Sequence, residues 1–210
     1  TGGDAQDKTL YNELSSPTVS LDSVFTIIAI AAIENRMIAT IDITGAYLEC
    51  FLPENDIVHM VLDPLIVRIL DKIDPSAIPF KSDKGEVVVK LNRALYGCVQ
   101  SSLLWYKKLK GTLEATGFVS NPYDPCVFNK IVEGEQITVA FHVDDLLVTS
   151  KPEAAISNLI DSLESRFTAV TAERGDKHSY LAMTIERKSD YYTVDMDGYL
   201  TQLFAERALR

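Results

Sequence analysis

The sequence predicts an α+β fold in which an antiparallel sheet is backed by helices. Three observations carry that expectation. Two β-rich runs, Cys126–Ile131 and Gln136–Val143, are joined by a Glu133-Gly134-Glu135 turn, and a third run, Leu146–Thr149, follows at once. Helical patterns lie on either side, from about Asp22 to Asn35, Ser101 to Thr116 and Pro152 to Arg166. The 210 residues are 47% hydrophobic and 24% charged, with 10 Gly and 8 Pro. That is enough apolar mass for a sizeable core, and too little Gly and Pro for a disordered or fibrous chain.

Taken in order, residues 1–19 are polar, with a turn signal at Ser15-Ser16-Pro17. Ser20 or Asp22 can cap the first helix. Val24, Phe25, Ile27, Ile28, Ala29, Ile30 and Ala31 make that helix apolar nearly all round, which predicts a buried one. Met37–Ile43 reads as a short buried strand with Asp42 at its end. Residues 51–85 contain prolines at 53, 64, 75 and 79 around a strand at 57–62 and a helix at 63–72, and read as an acidic insertion on the core. Val87–Leu91 is a β-branched strand, and Gly117 stops the helix that starts at Ser101. Pro152 suits the first turn of the next helix. Tyr180–Arg187 and Tyr191–Asp195 predict a hairpin through Ser189-Asp190, and a last helix begins near Asp197 or Gly198.

Thirty acids against 20 bases give a net charge of −10, which would repel nucleic acid if spread evenly. It is not even. Residues 1–80 hold 12 acids and 4 bases, a net of −8, whereas residues 81–210 hold 18 acids and 16 bases. Lys90, Arg93, Lys107, Lys108 and Lys110 fall in a stretch without an acid, interleaved with Tyr96, Trp105 and Tyr106. The three cysteines, Cys50, Cys98 and Cys126, form no Cys-x-x-Cys and no ligand spacing with His59, His142 or His178. An odd, scattered count fits buried free thiols and an intracellular, reducing compartment better than a disulfide framework or secretion. The longest apolar run, Val24–Ile33, is about half of the ~20 residues a bilayer span needs.

Three aspartates lie at the edges of apolar strands. Asp42 ends one; Asp144 and Asp145 sit between Val139–Val143 and Leu146–Val148. If the first strand lies beside the later hairpin, the three carboxylates meet at one sheet edge. Like charges so placed repel and raise their pKa values. Mg²⁺ or Mn²⁺ would relieve the repulsion through oxygen ligands, and two such ions about 3.5–4 Å apart can activate a hydroxyl and steady a leaving pyrophosphate. The plainer reading is that Asp-Asp is a turn dipeptide and Asp42 a cap.

Four segments, taken together and in order, give the chain a family likeness. They are Ser16-Pro17-Thr18-Val19 with the 24–32 helix, Asp42-Ile-Thr-Gly-Ala-Tyr47-Leu48, Leu91-Asn-Arg-Ala-Leu-Tyr-Gly97 running on to Gln100 and Trp105-Tyr106, and Phe141-His-Val-Asp-Asp-Leu-Leu147. The chain resembles the reverse transcriptase of Ty1/copia-type long-terminal-repeat retrotransposons, with Tyr180–Glu186 resembling the hairpin that grips the primer. The resemblance implies a polymerase palm with partial fingers: fingers at 1–35, palm at 36–50, fingers or insertion at 51–92, palm again at 93–189, and the start of a thumb at 190–210.

It implies the site residues as well. Asp42, Asp144 and Asp145 match the catalytic metal ligands for two Mg²⁺ (or Mn²⁺) ions, with the Ile43 carbonyl completing a site. Tyr47 matches the aromatic gate that excludes a 2′-hydroxyl, and Gln100 a glutamine that touches nucleotide and template; by itself Tyr47 would read as a core aromatic. Lys90, Arg93, Lys107, Lys108, His142, Tyr180 and Met183 fall where the family meets nucleic acid, although Lys107 and Lys108 equally suit a solvated helix face. The implied partners are an RNA or DNA template-primer, deoxynucleoside triphosphates, and the integrase and RNase H regions of a polyprotein. The implied setting is a cytoplasmic particle, with no membrane.

The chain also departs from the family. His142 stands where Tyr is usual, Ser102-Leu103 where Pro-Arg is common, and Ala182 where Gly is usual. The family's basic fingers segment and most of its thumb are expected outside these residues, so the 210 residues by themselves are expected to be nearly inactive. The alternative is a non-catalytic, degenerate palm that binds weakly. A nucleotide cyclase would share the acidic hairpin but not the Leu-Tyr-Gly…Gln segment.

Overall fold

A computed structural model describes residues 15–77 and 82–208. The polar residues 1–14, Pro79 of the proline-punctuated block, and the last two residues lie outside that description. The frame is a six-stranded antiparallel sheet in the order β4-β5-β6-β7-β1-β8. Its strands are β1 (Met37–Ile43), β4 (Val119–Ser120), β5 (Val127–Val132), β6 (Glu135–His142), β7 (Asp145–Ser150) and β8 (Val170–Arg174). A three-stranded sheet of β9 (Lys177–Tyr180), β10 (Met183–Arg187) and β11 (Tyr192–Asp195) stands beside it, and β2 (His59–Leu62) pairs with β3 (Val87–Lys90) separately. The expected α+β architecture is the one observed.

Alternation sorts the large sheet into two faces. Ile41, Ile43, Leu146, Val148, Val139 and Phe141 point one way and are buried. Ala155 and Leu159 of α4 (Glu153–Glu164) meet this face at Ile137. The other face carries Thr138, Thr149, Thr40 and the carboxylates. There α1 (Leu21–Ile33) covers Thr138 and Thr149, while β9 meets Thr40 through His178.

The element ends follow local chemistry. Of the two proposed caps of α1, Ser20 is the one used: its hydroxyl accepts from the Ser23 N–H at 3.1 Å. Asp63 accepts from the N–H groups of Leu65 and Ile66 and starts α2 (Pro64–Ile73) with Pro at its first position. α3 (Ser101–Ala115) stops where Gly117 turns to φ +90°. Glu133 and Gly134, both at positive φ, make the tight β5–β6 turn.

Three expectations need correction. α1 is not buried all round: Val24, Ile27, Ile28 and Ala31 are buried, while Leu21, Phe25 and Ile33 face out. The run 180–187 is not one strand, because Leu181 and Ala182, both at positive φ, fold it into the β9–β10 hairpin. The strand β8, unanticipated, pairs with β1 and places Thr171 beside Asp42. α5 (Asp197–Ala208) begins where the last helix is expected. Among the described residues no helix is long and apolar enough to cross a membrane, and the three cysteines are free, with Cys50 and Cys126 buried.

Candidate functional site

The register of the sheet builds a polar row across four strands. His142 of β6 lies opposite Asp145 of β7, Asp145 opposite Asp42 of β1, and Asp42 opposite Thr171 of β8. Asp144 sits beside this row in the two-residue turn between β6 and β7. The first residue of that turn, Val143, is at φ +58°, a conformation that β-branched residues rarely adopt. Two long-range hydrogen bonds hold it there. The buried Trp105 Nε1 donates to the Val143 carbonyl at 2.7 Å, and the Ile43 N–H donates to the Asp144 carbonyl at 3.1 Å.

The three carboxylates therefore meet at one sheet edge, as the sequence predicts. Each has its own environment. Asp42 accepts from the Thr44 hydroxyl at 2.6 Å. Asp144 accepts from the Tyr96 hydroxyl at 2.7 Å. Burial, then the charges of Asp144 and Asp42, push the Asp145 carboxyl above its usual range, against a smaller opposing effect of His142. Asp42 and Asp145 line a cleft of about 260 Å³ together with Thr40, Thr171, Glu173 and Tyr180. A larger cavity, about 470 Å³ between α1 and strands β5–β7, contains none of the predicted site residues.

As they stand, no three His, Cys, Asp or Glu side chains among the described residues converge to hold a metal ion. The donor set nevertheless fits a hard divalent cation, since it is all oxygen and the register brings Asp42 opposite Asp145 with Asp144 in the adjoining turn. Asp42, Asp144 and Asp145 are the residues that could hold one.

The other predicted residues differ in their surroundings. Tyr47, in the 3-10 turn Ala46–Glu49, is 9% exposed and close enough to Asp144 for that charge to reinforce the upward effect of burial on its hydroxyl. Gln100 precedes α3, is buried, and donates to Asp56 at 2.9 Å. Lys90 lies at the end of β3 and Lys107 on the outer side of α3, both exposed. The Arg93 guanidinium donates to the Leu48 carbonyl at 2.6 Å and lies over the Phe51 ring. Lys108 donates to the Glu49 carbonyl and pairs with the Glu49 carboxylate at 3.6 Å, an anchor between α3 and the turn bearing Tyr47. Tyr180 and Met183 are buried, which leaves the Leu181-Ala182 turn as the outward part of their hairpin.

Two residues of the site escaped the sequence reading in these roles. Tyr96 lies within the basic, aromatic stretch yet reaches Asp144, with its ring 4.4 Å from that of Tyr47. Trp105 supports the acidic turn from α3. Nothing short of the tertiary contact marks either role; the only signal is their place among the aromatics of the basic stretch.

The chain is 28% identical over 196 residues to the "Retrovirus-related Pol polyprotein from transposon RE1" of Arabidopsis thaliana, an alignment spanning 93% of the chain and 12% of that protein. It is 27% identical over 196 residues to the corresponding polyprotein from transposon TNT 1-94 of Nicotiana tabacum, across 92% of the chain and 14% of the relative. The Ty1-MR1 Gag-Pol polyprotein of Saccharomyces cerevisiae is 25% identical over 208 residues, 95% of the chain and 11% of its own length. The chain thus spans about an eighth of the curated relatives it matches first. Among solved structures, an apo telomerase from Candida tropicalis aligns over 85% of this chain and 40% of its own, at 9% identity and a TM-score of 0.41. Residues 3–209 match the family model described as "Reverse transcriptase (RNA-dependent DNA polymerase)", and the chain belongs to that family.

Proposed function

We propose that the chain is a reverse transcriptase domain of a retrotransposon polyprotein, and that it carries out template-directed DNA synthesis at the Asp42–Asp144–Asp145 edge. One observation carries this reading: in a chain of this family, the register sets Asp42 opposite Asp145 and puts Asp144 in the adjoining turn. Two Mg²⁺ or Mn²⁺ ions, when bound there, would activate the primer hydroxyl and offset charge on the leaving pyrophosphate. The protein's own part is positioning. Trp105 and the Ile43 N–H fix the turn that carries Asp144. This differs from the family expectation for Ile43, whose carbonyl would complete a metal site; that role stays part of the proposal.

In this reading Tyr47 lies under the sugar of the incoming deoxynucleotide, and 36–50 with 93–189 form the palm. Residues 51–92 belong to the fingers, the start of the chain to 35 joins them, and 190–210 lead into a thumb. An RNA or DNA template-primer would run past His142, with Lys90, Arg93 and Lys107 as backbone contacts and Lys108 acting through its anchor on Glu49. The alternative, a non-catalytic remnant, has no geometric observation in its favour, because the acidic edge is intact.

The test is single-nucleotide addition to a primed RNA template with Mg²⁺, read at a sensitivity that detects weak turnover. D144N should reduce incorporation at least a hundredfold, on the order of what loss of a key electrostatic group costs an active site. Incorporation by D144N at the rate of the unaltered chain would overturn the assignment.

A further inference from the structure

We propose that Tyr96 is a latch on the acidic site: its phenol holds Asp144 while no metal is bound, and a divalent cation gains Asp144 only when that phenol lets go. The inference rests on the proposed role of Asp144 and adds a residue that the family likeness does not place there. Three features lead to it. The Tyr96 hydroxyl donates to Asp144 Oδ2 at 2.7 Å, so the phenol occupies an oxygen that a cation would use. The Tyr96 ring lies 4.4 Å from the Tyr47 ring and tilted 49° to it, so the same side chain also covers the aromatic that the nucleotide sugar would meet. Tyr96 is 63% exposed, so its ring can swing out without opening the core.

The backbone around it does not need to move. The Ala94 N–H donates to the Cys50 carbonyl at 2.9 Å, and the Leu95 carbonyl accepts from the Ser101 hydroxyl at 2.7 Å and from the Cys98 N–H at 3.1 Å. The chain on both sides of Tyr96 is thus pinned, and the latch is a side-chain rotor of the kind that turns on a fast timescale. A phenol bonded to a carboxylate is a charge-assisted contact, and here it competes with a cation for Asp144 Oδ2. Loss of the hydroxyl removes the competitor and leaves the ring beside Tyr47. Release also frees the Tyr47 ring, so occupation of the acidic edge and opening of the sugar-facing aromatic would occur together.

The experiment is Mn²⁺ binding by the 210-residue chain, followed by the loss of the free-Mn²⁺ electron paramagnetic signal, with tyrosine ultraviolet difference spectra recorded in parallel. Y96F should bind Mn²⁺ at least about tenfold more tightly than the unaltered chain, the scale expected when one charge-assisted bond no longer competes. The unaltered chain should show a tyrosine difference spectrum on Mn²⁺ addition that Y96F lacks, a signal that a merely structural role would not produce. D144N should lose the tight binding in either background. Equal or weaker binding by Y96F, with D144N still deficient, overturns the latch and leaves the acidic site standing. Binding by D144N equal to that of the unaltered chain overturns the site itself, and the latch with it.

Discussion

Trp105 Nε1 reaches the Val143 carbonyl at 2.7 Å from a ring that is 1% exposed. The residue it holds is a valine in the left-handed region, where such backbone costs on the order of 1–3 kcal/mol. The Trp105 ring also packs 5.2 Å from that of Phe167. W105F keeps an aromatic in that contact but leaves the carbonyl without its donor. It should lower stability by about 1–3 kcal/mol in urea unfolding followed by circular dichroism, and weaken Mn²⁺ binding at the relaxed turn. Unchanged stability and binding would show that the turn stands without this bond. At this scale the sequence was readable where chemistry is local. Asp42, Asp144 and Asp145 announce themselves because an acid at the end of an apolar strand needs a reason. Tyr96 and Trp105 do not, because their partners lie 48 and 38 residues away. Gln100 is drawn out by its motif, but the sequence does not show that its amide donates to Asp56, 44 residues away.

Asp124 joins two elements that pattern alone leaves apart. One carboxylate oxygen accepts from the Ser20 N–H at 3.0 Å and the Ser23 hydroxyl at 2.6 Å, and the other from the Cys126 N–H at 3.0 Å. It thereby ties the start of α1 to the entrance of β5. Burial pushes its carboxyl up, but the bonds from Ser23, Ser20 and Cys126 together outweigh burial and hold it below the usual range. A carboxyl with a depressed native pKa stabilises the fold fully above its unfolded value of about 3.9, and that contribution fades as pH falls through the native value. D124N should therefore cost about 1–3 kcal/mol at neutral pH. The gap in urea midpoint between D124N and the unaltered chain should shrink as pH is lowered past about 3.9. A gap that does not change with pH would refute the assignment. Elements were legible where side chains signal them, as in β5–β6 with its Gly134 turn and in α2 with Asp63 and Pro64. The β9–β10 turn was not, because Leu181 and Ala182 are neither Gly, Asn nor Asp. Nor was β8, where Val170 and Ala172 alternate with Thr171 and Glu173 over too few residues, with no fully buried side chain, to mark a strand.

At the scale of the molecule, nearly all the buried apolar side chains among the described residues fall into two clusters of very different size. The main one runs from Val19 to Ile185 and takes in α1, β1, α3, the β5–β7 strands and α4. The second consists of Val67 and Val87, with Leu62, Leu70 and Val89 packed against it, and belongs wholly to β2, α2 and β3. The expected insertion at 51–85 contributes Leu62, Val67 and Leu70 to the small cluster, while Val87 and Val89 lie beyond it. What the sequence could not show is how little holds that cluster together. Among the described residues, two buried valines and three partly buried side chains bury too little apolar surface to match the main core, so β2, α2 and β3 should open before the six-stranded sheet does. V67A tests this. Removing two methyl groups at about 0.8 kcal/mol each, plus the cavity they leave, should destabilise the small unit by roughly 1.5–3 kcal/mol. Hydrogen exchange read by mass spectrometry should then accelerate at least tenfold in peptides covering 59–73 and 87–90. Peptides covering β6 and β7 should exchange as before, and Mn²⁺ binding at the acidic edge should persist. Equal acceleration in both regions would mean that the small unit and the sheet unfold as one, and that the acidic edge depends on the small cluster after all.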